Sequence, residues 1–175
     1  MAQQLADNKK DNKKKRRIGP IVIFSGLGLG ILYLLFGFFG IQAAFTNTTV
    51  AEAGPIFESG AELAAGEDSG EITTLAAGQF SGLSNYTVQG TASILTDGTD
   101  QQFLRLENFQ SNNGPDLKVV LRADNGDVIN LGPLKGNIGD QNYELPPGID
   151  LSEYNSVEIY CERFSVTFGT ASLNV

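Results

Sequence analysis

Twenty-eight consecutive residues, Ile18–Phe45 (IGPIVIFSGLGLGILYLLFGFFGIQAAF), carry no charge, and the nine positions before them, Lys9 to Arg17, hold seven of the twelve basic residues in the chain. A hydrocarbon layer about 30 Å thick is crossed by about 20 helical residues rising about 1.5 Å each, so the run is long enough to span a bilayer. It lacks the polar stripe that a helix packed on a water-soluble core normally shows. Residues 18–45 are therefore expected to form a transmembrane helix in contact with membrane lipid. Basic residues cluster only upstream, so the positive-inside rule puts residues 1–17 in the cytoplasm as a basic tail. Everything after Phe45 is then extracytoplasmic, and periplasmic if the cell has an outer membrane.

A cleavable signal peptide is the rival. Its apolar region would run for about 7–15 residues and end at a small-x-small site. Here the run is longer, and the only fitting site, Ala51–Ala53, lies well beyond it. An uncleaved signal anchor at the plasma membrane is the expectation. Gly26 and Gly30 make a GxxxG, but Gly28, Gly37 and Gly40 fall off that spacing. Glycine is common in membrane helices, so no helix pairing is read from it.

Beyond Arg17 the balance is five basic against eighteen acidic residues, a net charge of −13. Such a body repels phosphate backbones, so nucleic acid is not an expected partner. Residues 46–76 are rich in Ala, Gly, Glu and Thr without sustained periodicity, and read as an acidic flexible linker. Asn47-Thr48-Thr49 and Asn85-Tyr86-Thr87 fit the glycosylation sequon, a short pattern that arises often by chance.

From Gly78 onward short alternating runs are broken by turn residues. "YTVQGTASIL" sets Val88, Ala92 and Ile94 on one face; "LKVVLRA" sets Leu117, Val119 and Leu121 inward. "DGTD", "SNNGPD" and "DNGD" supply turns. Six to eight strands without a long amphipathic helix predict an all-β fold, an antiparallel β-sandwich over residues 77–175.

Cys161 is the only cysteine. In "SVEIYCERFSVTFG" it shares a face with Val157 and Ile159, whereas the later apolar set is Phe164, Val166 and Phe168. The change of parity falls at Glu162-Arg163 and demands a bulge, corner or turn there. Two readings of the thiol stand open. Cysteine packs as a small hydrophobe in cores; an unpaired cysteine in an exported chain also reads as a reactive or intermolecularly pairing thiol. With one sulfur there is no internal disulfide, so thiol chemistry would need a partner thiol, a sulfenic-acid cycle or a metal.

Other chemistry fails the inventory. The chain has no histidine, which excludes a Ser–His triad, an imidazole metal site and His-ligated haem, and Met1 is its only methionine. A haem would have to be held through Cys161, Tyr143 or Tyr160. Asp124, Asp127, Asp140 and Glu144 match no calcium-loop spacing, so no metal site is assigned.

The blocks "GQFSGLSNYTVQGTASI", "FLRLENFQSNNGPDLKVVLRA", "INLGPLKGNIGDQNYELP" and "VEIYCERFSVTFGTASL" occur in the order found in the DM-thirteen domain, also called the electron-transfer DM domain. The resemblance runs from about Ala77 to Leu173 and includes Gly114-Pro115-Asp116 and Gly139-Asp140-Gln141-Asn142-Tyr143. It implies a β-rich domain carried in bacteria behind an anchor or signal. It also implies a redox or electron-transfer role centred on one cysteine, acting as a bare thiol or in haem binding; Cys161 holds that position, with Tyr160 and Arg163 shaping its surroundings and a membrane-borne redox or thiol protein as partner. Tyr160 stands where members often have Trp, and Asn85-Tyr86 where some have His. The alternative is a non-catalytic envelope binding or adhesion module with a structural cysteine, whose contacts lie in "SNNGPD" and "LKGNIGDQNY". Either way the chain reads as a redox-associated or binding domain more than as a stand-alone enzyme.

Overall fold

The structure, a computed structural model, describes residues 28–34, 37, 46–58 and 72–175. The chain divides into two compact units, Met1–Phe38 and Phe39–Val175. In the first, residues 28–33 are α-helical, and Leu29, Ile31, Leu32, Tyr33 and Leu34 are each at least half exposed. Among the described residues no helix is long and apolar enough to cross a membrane. Of the expected span 18–45, only residues 28–34 and 37 are described; the rest lies outside the described residues.

The second unit is built from strands β1 (Thr73–Gln79), β2 (Ser81–Gly82), β3 (Val88–Thr96), β4 (Gln102–Ser111), β5 (Leu117–Arg122), β6 (Val128–Pro133), β7 (Gln141–Glu144), β8 (Ser156–Cys161) and β9 (Val166–Ser172). They form two sheets, ordered β1-β3-β4-β7 and β2-β9-β8-β5-β6. Every pairing is antiparallel, so the expected sandwich-like all-β domain is present. Alternation decides which side chains meet between the layers. Ala92, Ile94, Leu104 and Leu106 from one sheet and Val119, Leu121, Val157, Ile159 and Cys161 from the other are fully buried in one cluster.

Four of the strand pairs carry a register shift, and in two of them a bulge turns an extra side chain inward. Thr91 pairs with Glu107 and Gln89 with Gln110, so Asn108 and Phe109 together oppose Gly90. Gly90 (φ 118°) and Asn108 (φ 49°) take up the distortion, and Phe109 turns inward against the Phe80 ring at 5.4 Å. A Cβ on Gly90 would lie 2.8 Å from the Glu107 carbonyl oxygen, which is why only glycine fits. In β9, Gly169 pairs with Ile159 and Thr167 with Tyr160, leaving Phe168 as the extra residue. Phe168 is buried and stacks on Tyr86 at 3.8 Å. The parity change expected at Glu162-Arg163 is thus a hairpin turn followed by a bulge. Phe164, grouped by alternation with Val166 and Phe168, lies in that turn and is 64% exposed.

Residues 46–58, expected from composition to belong to a flexible linker, run instead against the domain. The Val50 amide donates to the Ile138 carbonyl at 2.9 Å, Ile138 donates to Thr48 at 3.2 Å, and Glu52 donates to Asp140 at 3.0 Å. Phe57 is 2% exposed and meets Phe103 edge-on at 5.1 Å, with Leu95 and Ile72 completing a small second cluster. Leu95 and Phe103 pair across β3 and β4, and Phe57 covers them. β1 starts at Thr73, four residues ahead of the boundary expected at residue 77.

Antiparallel strand directions sort the loops into two ends. Residues 80–87, 112–116, 134–140 and 162–165 gather at one end, where the chain enters through Thr46–Thr48; residues 97–101, 123–127 and 145–155 gather at the other.

Candidate functional site

Cys161 ends β8. It pairs with Leu117 on one side and Val166 on the other, and its relative exposure is 0%. Strand periodicity sends it inward, while Tyr160, one position earlier, takes the opposite face of the sheet and Arg163 stands exposed in the turn. The structure therefore does not bring Cys161, Tyr160 and Arg163 together around one site. These residues do not fit a haem either. The buried Tyr143 hydroxyl donates to Gln141 Oε1 at 2.7 Å and accepts from the Lys135 amide at 3.0 Å, and burial pushes its pKa up, which opposes the tyrosinate a metal would need.

Close to the thiol, but separate from it, lies a cavity of about 400 Å³ at the entry end. Thr46 and Thr48, the turn Asn113–Leu117 and the turn Pro133–Asn137 line it, and Cys161 is not among the lining residues. Leu117, Leu134, Pro115 and Pro133 give it an apolar part; Asn113, Asp116, Lys135 and Asn137 give it a polar one. Pockets of this size and mixture take small ligands or anchoring side chains. Both loops named from sequence as contact candidates meet here. Local chemistry shapes each wall. Leu117 packs where a Cβ on Gly114 would stand, 2.7 Å from Leu117 Cδ2. The Asp116 carbonyl accepts from the Glu162 amide at 3.0 Å, and its carboxylate holds Lys118 Nζ at 3.0 Å, raising the lysine pKa. Asn47 Oδ1 accepts from both Asn113 and Asn137, at 2.7 and 3.1 Å, drawing the two turns together.

A polar latch behind the cavity fixes the second turn and the entering chain. Arg105, 7% exposed, donates to Glu107 at 2.9 Å, Asp140 at 3.1 Å, Asn142 Oδ1 at 3.0 Å and the Ala53 carbonyl at 3.0 Å. Glu52 accepts from Lys135 Nζ at 2.8 Å and from the Asn142 amide at 2.7 Å. Burial alone would raise the Glu52 pKa; the bond from Lys135, the Asn142 amide and the charges of Lys135 and Arg105 outweigh it and hold the carboxyl below its ordinary value. Gln141, fully buried, accepts from the Lys135 amide at 3.1 Å and donates to the Gly136 carbonyl at 2.9 Å. Gly139 (φ 100°) lies directly under the Val50 carbonyl, leaving no room for a Cβ. The stretch Gly139–Tyr143 thus works as a clamp on the entering chain.

Sequence reasoning missed Glu52, Arg105 and Phe57. The one available signal was Ile56-Phe57, an apolar pair inside a stretch taken as linker. The four acids weighed for calcium are dispersed: Asp124 and Asp127 share the β5–β6 turn, Asp140 pairs with Arg105 at the opposite end, and Glu144 accepts from Gln101. Among the described residues no group of three or more Cys, Asp or Glu is placed to hold a metal.

Comparison with known proteins gives one assignment: residues 79–173 match the family described as Electron transfer DM13. No curated protein and no solved structure matches the chain.

Proposed function

The chain belongs to the Electron transfer DM13 family, and from that premise we propose that it is a single-pass, membrane-anchored binding module of an extracytoplasmic electron-transfer system, with Cys161 as a core residue. One observation carries this: the cavity at the entry end is framed by the turns 113–117 and 133–137, while the thiol beside it has no exposed surface. The module would engage a membrane-borne redox protein through those turns. An apolar run after a basic cluster supports the anchor, as do helical side chains exposed all along residues 29–34, which are unfavourable in water and favourable in lipid.

The experiment is voltammetry and absorption spectroscopy of the detergent-purified full chain. A binding module shows no chromophore and no reversible wave. A wave that disappears in Cys161→Ala would establish the thiol as the redox centre and overturn this function.

That second function, a redox-active Cys161, has one feature in its favour. The residue stands at the last position of β8, next to an exposed turn with Ser165 at φ 52°. Local opening of that hairpin end would be the route to the sulfur.

A further inference from the structure

Much of the polar lining of the entry-end cavity is already committed to other groups, and what is left defines an occupant. The lining carries two charged side chains, and both are paired: Asp116 with Lys118 at 3.0 Å, Lys135 with Glu52 at 2.8 Å. Lys135 Nζ also donates to the Asn142 carbonyl at 2.7 Å, and Glu162 shares Lys118 at 3.6 Å. Pro115, Leu117, Pro133 and Leu134 make the walls apolar. Two acceptors on lining residues, the Thr48 hydroxyl and Asn113 Oδ1, take no hydrogen bond among the described residues. The walls are held before anything enters. The Thr48 amide donates to Asn137 Oδ1 at 2.7 Å, and Asn47 ties Asn113 to Asn137.

We infer that this cavity is the socket for one uncharged, ring-bearing side chain, Trp or Tyr, presented by the partner protein; this rests on the binding function proposed above. Trp, Tyr and Arg are the side chains that most often anchor a protein interface, and the cavity discriminates among them. An Arg guanidinium would enter between four apolar side chains, while the one carboxylate of the lining, Asp116, is already held by Lys118. Burying a charge without a full partner is costly. An anionic side chain would meet Asp116 and Glu162, which have only Lys118 between them. A ring brings no charge, and its N–H or O–H has the Thr48 and Asn113 oxygens as acceptors. An apolar cavity of about 150 Å³ encloses a benzene ring. This one, at about 400 Å³, has room for an indole. Because its walls are preformed, a ring binds without having to order them.

The test titrates the isotope-labelled full chain, in detergent micelles, with the N-acetyl amides of Trp, Tyr and Arg. The Trp and Tyr derivatives are expected to shift the amide resonances of Gly114 and Gly136 saturably, and the Arg derivative to bind at least tenfold more weakly. Pro133→Asp puts a carboxylate on an exposed part of the wall and should weaken the Trp derivative at least tenfold. Val128→Asp, at the other end of β6, should not. Arg binding as tightly as Trp overturns the uncharged occupant and leaves the binding function standing. Free tryptophan binding more tightly than its blocked form overturns a protein side chain as the source, and also leaves that function standing. Trp binding untouched by Pro133→Asp, in a variant with a native spectrum, overturns the placement of the ring. No saturable shift in turns 113–117 and 133–137 with any of the three overturns the socket. Failure of the binding function is read separately, as the voltammetric wave that depends on Cys161.

Discussion

Leu117 stands directly opposite Cys161 across the β5–β8 pair; Leu117 lines the cavity, and Cys161 does not. The thiol is one side chain away from the cavity. Removing that side chain should change its accessibility without changing its chemistry. In Leu117→Ala the rate of Cys161 modification by a small maleimide is expected to rise at least tenfold in the folded protein. Val157→Ala, which makes a similar hole inside the core, should raise the rate only as far as its own loss of unfolding free energy does, whereas the rise in Leu117→Ala should exceed what its loss of stability accounts for. The deleted Leu side chain costs about 2–5 kcal/mol, so circular dichroism must show that the variant remains folded.

Cys161 itself is expected to tolerate an apolar replacement better than a polar one. Cys161→Ala leaves a small cavity and should cost about 1–2 kcal/mol. Cys161→Ser buries a hydroxyl among Leu117, Ile159 and Val166 and should cost about 1–3 kcal/mol. Urea unfolding of the two variants, followed by circular dichroism, gives the order. Serine equal to or more stable than alanine would mean the site is wetter than its burial implies.

The docking of residues 46–58 is expected to weaken in acid. Glu52 has a folded-state pKa below its ordinary value, so its contribution is present above the unfolded value and is lost as pH falls through the folded one. The amides of Val50 and Glu52, which donate to Ile138 and Asp140, report it. Their hydrogen-exchange protection, corrected for intrinsic rates, should fall as pH drops below the ordinary carboxylate range, while amides in β5 and β8 hold. Glu52→Gln should show the reduced protection already at neutral pH.

Phe57→Ala should loosen the same segment from its other end. Burying a phenylalanine contributes about 2 kcal/mol, and this one covers Leu95 and Phe103. Protease cleavage between residues 46 and 58 is expected to accelerate, with little change in cleavage within residues 88–122. Arg105→Ala removes bonds to Glu107, Asp140, Asn142 and Ala53 at once, and should cost about 2–3 kcal/mol. Thermal unfolding measures that loss.

How much of this was legible in the sequence follows from what alternation can and cannot report. The period-two pattern of β5 and β8 placed Leu117, Val119, Leu121, Val157, Ile159 and Cys161 correctly on the inner face. It misplaced Phe164, because a turn with Ser165 in the left-handed region and a bulge at Phe168 reset the phase within a few residues. Composition failed for residues 46–58, since a segment docked by backbone bonds and one aromatic ring shows no periodicity of its own. The cavity was half visible: both of its turns could be named, but their meeting depends on Asn47, more than sixty residues away in sequence. Burial of Arg105 was invisible, for a charged residue on an alternating strand reads as exposed until its partners are known.

The most direct test of the central claim, that Cys161 is sealed in the folded domain, is its modification rate in the native full chain across a denaturant series. The account predicts modification only at the rate set by global unfolding, rising with denaturant along the unfolding free energy. Rapid modification in the absence of denaturant, with native circular dichroism retained, would contradict it and make Cys161 the reactive centre of the molecule.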